Sequence, residues 1–131
     1  MKNLQDTLQL EIDDHAKTEE WEGHDKLSLA LAGNYRFKKA EALGSSFLVA
    51  EPLSNMQVVT LRAQGMAIRR QTGLYAAFYF QKITAYKAKI MLKEKVPFIV
   101  EDGQFFLPFL SLYIHNNDVG VKRPPTNLLL N

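Results

Sequence analysis

The chain has 131 residues, 47% of them hydrophobic and 23% charged, and this composition excludes a disordered protein and suits a single globular domain. It has no cysteine, which excludes a disulfide scaffold, a thiolate zinc site and a cysteine nucleophile. The net charge of +2 hides an asymmetry: residues 1–34 carry three Lys/Arg and eight Asp/Glu, whereas residues 35–95 carry eleven and three. A basic middle attracts phosphate backbones, or it docks against the acidic first third of its own chain; solvated faces and internal pairing are the favoured reading.

Residues 2–16 predict an amphipathic helix, with Leu4, Leu8 and Ile12 on one face. Asp13 and Asp14 oppose the helix dipole and should stop it. HAKTEEWEGHD reads as a loop in which Trp21 anchors onto the core. A short helix is expected over 25–32, with Asp25 as N-cap and Gly33 as the closing residue. Two strand-like runs follow, YRFKKAEAL and SSFLVAEPL, turned at Gly44-Ser45 and ended by Pro52.

The spacing from Ser54 to Gln57 suggests a capped helix running to about Thr72. Met56, Val59, Ala63, Met66, Ala67 and Arg70 fall on one face of it, and Gly73 closes it in the left-handed conformation. Gly65 inside it implies close packing on the sheet. LYAAFYF, residues 74–80, is apolar without periodicity, as in a strand buried on both faces. Thr84 caps a second helix over 85–95, and PFIV, an Asp102-Gly103 turn and FFLPFLSLYI then give two more strands. The expected fold is therefore α/β (α+β): a mixed sheet of about five strands with a βαβαβ core, right-handed crossovers and N-terminal helices. Residues 1–114 form the domain, and 115–131, with two prolines and no period, form a linker or frayed tail.

No segment approaches the ~18 apolar residues of a membrane span, and the start lacks a signal-peptide core, so a cytoplasmic protein is expected. Phosphate-binding loops, a nucleophile elbow and metal-spaced histidines are missing, so no cofactor, metal or catalytic residue is assigned. A hairpin feeding a βαβ unit is similar to the core of restriction-endonuclease-like domains. Glu41 and Glu51 fall on suitable strands, but Pro52 and Leu53 stand where the chemistry needs a lysine two residues on, leaving at most a degenerate version of that fold.

The stretch GNYRFKKAEALGSSFLVAEPL and the run RRQTGLYAAFYFQKITAYKAKIMLKEKVPFIVEDGQFFLPFLSLYI resemble the N-terminal half of bacterial MarR-like transcriptional regulators. The most telling part is KVPFIVEDGQFFLPFLSLYI, and the likeness covers roughly residues 26–114. Such regulators carry a winged helix-turn-helix after this half, and about seventeen residues past Ile114 leave no room for one. The resemblance implies a non-catalytic sensing, dimerising or docking domain. Its partner would be a second copy or an attached winged-helix module, and DNA would be reached only through that module. Leu107, Phe109, Leu112 and Tyr113 are candidates for an apolar contact surface, although core packing is the favoured role for them. If the basic middle binds nucleic acid directly, Arg69, Arg70, Lys89 and Lys93 are the candidate contacts.

Overall fold

A computed structural model describes residues 1, 3–110 and 112–114. The protein is a mixed α/β fold with one seven-stranded sheet whose strands lie side by side in chain order. The strands are β1 (Lys17–Glu20), β2 (Tyr35–Ala42), β3 (Ser45–Pro52), β4 (Ala76–Phe80), β5 (Phe98–Val100), β6 (Phe105–Leu107) and β7 (Leu112–Ile114). Four helices accompany them: α1 (Leu4–Glu11), α2 (Leu29–Asn34), α3 (Val58–Thr72) and α4 (Ala85–Lys93). β3, β4 and β5 are parallel and are connected through α3 and α4; the strands on either side pair antiparallel.

Alternation along the strands builds two cores. Tyr35, Phe37, Leu48, Ala50, Phe78, Phe98 and Val100 face α3 and α4. Ala40, Phe47, Val49, Ala77, Tyr79, Ile99 and Phe105 face the other way and are covered by Leu4 and Leu8 of α1. The apolar run over 74–80 has no periodicity because β4 meets a core on each side.

Several elements differ from the sequence expectation. The mixed sheet with its two crossover helices is the expected one, and among the described residues it has seven strands where about five were expected. β1 lies in the stretch read as a loop, where every residue of KTEE is polar; it pairs with β2 through its backbone, and Lys38 Nζ stands 3.3 Å from Glu20 Oε2. FFLPFLSLYI is two strands because a 3-10 turn over Pro108–Leu110 divides it. α1 stops at Glu11, short of residue 16. The second helix is shorter than expected: Ser28, not Asp25, is its N-cap, and Gly33 lies inside it. Gln57 occupies the N-cap of α3 with no side-chain hydrogen bond, so the Ser54–Gln57 spacing does not act as a capping box. Residues 115–131, read as a linker or tail, lie outside the described residues. Trp21 does anchor its segment, packing its ring 5.2 Å from that of Phe37. Thr84 caps α4, its Oγ1 accepting from the Lys87 amide at 3.0 Å.

α3 buries a different face from the one its spacing suggested. Val58, Leu61 and Ile68 point inward, while Val59 is 68% exposed and Met66 50%. Apolar residues lie all round this helix, so periodicity alone does not choose the side. Gly65 decides the close approach: a Cβ there would lie 3.4 Å from the Phe78 ring. Alanine just fits, and anything longer collides. Gly65→Ala should therefore raise stability by up to ~1 kcal/mol through helix propensity. Gly65→Leu should lower it by about 1–3 kcal/mol through overpacking. Chemical denaturation of the two variants measures both.

Two phenols are buried within the sheet. The Tyr35 hydroxyl donates to Gln64 Oε1, and the Tyr79 hydroxyl donates to Glu101 Oε1 at 3.0 Å. Burial pushes both above the ordinary phenol value; for Tyr79 the hydrogen bond to Glu101 and the charges of Glu101 and Glu51 add to the effect. Folding thus favours the neutral phenol, and this contribution to stability is complete below pH ~10 and is lost as pH rises further. The melting temperature should fall above pH ~10, and the Tyr35→Phe/Tyr79→Phe pair should flatten that fall.

Candidate functional site

α3 and α4 run antiparallel to the strands that follow them, so both helices end where β4 and β5 begin. Each needs its last carbonyls satisfied there. α3 ends on Gly73 at φ +80°, whose amide donates to the Arg69 carbonyl at 2.9 Å. The Arg69 guanidinium donates to the Gly73 carbonyl and lies 3.9 Å from the centre of the Tyr75 ring. α4 ends with the same kind of turn but without glycine: Lys95 takes φ +59°. The Lys95 amide donates to Leu92 at 3.1 Å and the Val96 amide to Met91 at 2.9 Å. Val96 and Met91 then meet in the core, as such a closing motif requires.

Between these two ends lies an open groove of about 740 Å³. α3 and β4 contribute Leu61, Gly65, Met66 and Phe78 to its lining, and the turn after α4 and the β6–β7 turn contribute Val96, Pro97, Pro108 and Phe109. Tyr75 stacks on Phe109 with ring centres 5.1 Å apart and planes 4° apart. Arg62, Arg69, Arg70 and Lys95 also line the groove, against the single carboxylate of Glu94. Among the described residues, neither of the two ion pairs involves any of these charges.

The groove brings together residues from both groups of sequence candidates. Arg69, Arg70 and Phe109 line it. Lys89 and Lys93 are exposed on α4 and do not. Leu107 is fully buried in the core on the α1 face, so it offers no contact surface. Leu112 and Tyr113 are placed by backbone alone, opposite Leu107 and Phe106 in the β6–β7 register; their side chains lie outside the described residues. Sequence reasoning missed Arg62, Tyr75 and Lys95 as site residues. One signal was available for the last: Pro97 two residues on marks a helix that has just closed.

The carboxylate pair of the nuclease reading is not assembled. Glu41 pairs with Ser46 in a register that puts it on the α3 side, with Phe37 and Leu48. Glu51 lies opposite Arg36, on the α1 side with Val49. The two acids therefore face opposite sides of the sheet and cannot share a cation. Glu51 Oε1 sits 3.6 Å from the Met1 ammonium. Among the described residues no group of three His, Asp or Glu side chains is placed to hold a metal ion. Lys87 is likewise occupied: its ammonium donates to the Met56 carbonyl at 3.0 Å, and burial lowers its pKa.

No family model matches this chain, and neither curated proteins nor solved structures give a match.

The left-handed backbone at Lys95 makes a measurable claim. A side chain in that conformation costs about 1 kcal/mol relative to glycine. Lys95→Gly should therefore stabilise the fold by roughly that amount, read as a raised denaturation midpoint, although it removes a charge from the groove.

Proposed function

We propose that this chain is a non-catalytic regulatory domain of a MarR-like transcriptional regulator, acting in the cytoplasm and sensing or docking through the groove at the ends of α3 and α4. The observation that carries this reading is the groove: about 740 Å³ of apolar and aromatic lining with four cations, within the roughly 300–1,000 Å³ of typical ligand pockets. Phe109 belongs to the turn between β6 and β7, so an occupant touches α3, the turn that closes α4 and the segment leading towards the end of the domain. An occupant that binds one arrangement of this turn better than another shifts the balance between them. An attached DNA-binding module or a second copy would feel that shift. Among the described residues no helix is long and apolar enough to cross a membrane, consistent with a cytoplasmic place of action.

A second reading is direct nucleic-acid binding by the basic middle, and the cations of the groove favour it. The two readings separate in one experiment. Under the regulatory reading, the chain alone retains no duplex or single strand at low salt, whereas the protein expressed from its complete reading frame binds DNA through a downstream winged helix. Retention by this chain alone, with affinity dropping steeply as salt rises, would establish the second reading. A reading frame without a winged helix would end the first.

A further inference from the structure

Among the described residues, β1 is an outer strand of the sheet, paired on one side with β2. An outer strand keeps a row of backbone amides and carbonyls that point away from the sheet and invite another strand. In β1 two side chains of α1 occupy that row. Gln5 Oε1 accepts from the Thr18 amide at 2.8 Å, and the Thr18 hydroxyl donates to the same oxygen at 3.4 Å. Gln9 Nε2 donates to the carbonyl of Ala16, the residue before β1, at 2.9 Å. Gln5 and Gln9 are about one helical turn apart on α1, so both amides reach the same edge. Thr18 and, by alternation, Glu20 are therefore the residues whose backbone faces outward, while Lys17 and Glu19 turn theirs to β2.

Charges on an outer strand normally guard it against pairing, and KTEE is charged at three of its four positions. Their order, however, is self-complementary. In an antiparallel pair of β1 strands, outward-facing residues must stand opposite one another. Three registers near the middle of the strand satisfy this. One sets Lys17 against the second copy's Lys17, and another sets Glu19 against the second copy's Glu19. The third centres on Thr18 opposite Thr18, with Lys17 opposite Glu19 on either side of the centre. Cross-strand Thr–Thr and Lys–Glu pairs stabilise a sheet, and like charges directly opposite destabilise it. The pattern continues into β2. Lys17 stands opposite Glu41 and Glu19 opposite Lys39, on the face that carries α3. Joined in the third register, two copies place charges of alternating sign in two rows that run across four strands. Lys17, Glu19, Lys39 and Glu41 enter no ion pair among the described residues.

We propose that the β1 edge is a pairing surface for a second copy of this chain, joined antiparallel about Thr18, and that Gln5 and Gln9 of α1 hold it shut until they let go. The occupant is a copy of the same strand because its charges answer each other in this register and repel in the neighbouring ones. The proposal goes beyond the reading of the groove and stands on the sheet edge alone.

The test is sedimentation equilibrium of the whole chain at low salt. Gln5→Ala/Gln9→Ala removes both amides and puts the best helix former at each position, so α1 is kept. This variant should dimerise at least about tenfold more tightly than the unsubstituted chain, which must first release the glutamines of both copies. Adding Thr18→Pro should abolish the gain, because proline removes an outward amide that β2 does not use. In the same double-alanine background, Lys17→Glu and Glu19→Lys should each give monomers, since each sets like charges opposite in the pair. Mixed in equal amounts, these two should dimerise with one another, because each copy supplies the charge the other lacks. A double-alanine variant that associates no more tightly than the unsubstituted chain, a dimer that survives Thr18→Pro, or a mixture that stays monomeric overturns the proposal. The mixture keeps the test valid if the proline variant does not fold. None of the substituted residues lines the groove and no DNA is present, so failure here leaves the regulatory reading intact.

Discussion

A strand covered on both faces has no side left for water, and β3, β4 and β5 are all in that position. Leu48, Ala50, Phe78 and Phe98 fill the space under α3 and α4, while Phe47, Val49, Ala77 and Ile99 fill the space under α1. Every central position is thereby claimed by packing. A polar group placed there would be buried without a partner, at a penalty of about 1–3 kcal/mol. Chemistry is driven to the ends of the strands, and the two ends differ. At the carboxyl end, Glu51 and Glu101 surround the Tyr79 hydroxyl, and their charges help hold the phenol neutral. At the amino end, two helix C-termini draw cations, and the sheet starts late enough to leave a groove between them.

That geometry accounts for the uneven charge along the sequence. The basic middle spans β2, α3, α4 and their closing turns, and four of its cations, Arg69, Arg70, Lys93 and Lys95, stand at the ends of the two helices, where the dipoles are negative. Of the acidic first third, α1 covers the opposite side of the sheet and β1 forms its edge, where Glu20 meets Lys38, while the stretch around Trp21, Leu27 and Leu31 packs on the α3 side. The net charge is small because the two parts nearly cancel, yet the field around the groove is locally positive.

Much of this was legible in the sequence. The 74–80 run, the Thr84 cap and Gly73 give α3, β4 and α4 because each signal comes from a local steric or hydrogen-bonding rule that packing then reinforces. β1 escaped notice since a charged edge strand is held by its neighbour's backbone and leaves no apolar pattern. The buried face of α3 was misread because Val59 and Met66 imitate a core stripe beside the true one formed by Val58, Leu61 and Ile68. The groove was out of reach for a different reason. It joins four stretches of chain brought together only by the crossovers, and no local rule links Arg62 to Lys95 or Tyr75 to Phe109.

Lys95 shows how the fold and the groove constrain one another. The helix must close there, because Val96 has to turn into the core beside Met91 and Pro97 cannot continue a helix. Closure forces a positive φ, for which glycine is the unstrained solution. A lysine at that point gives up backbone comfort and gains a cation beside Pro97, on the rim of the cavity. The fold alone would favour the smaller residue, since α4 is closed by its amides and by Val96 whichever side chain stands at position 95. The charge of Lys95 is a property that closure does not need, and it stands on the rim of the groove among Arg62, Arg69 and Arg70.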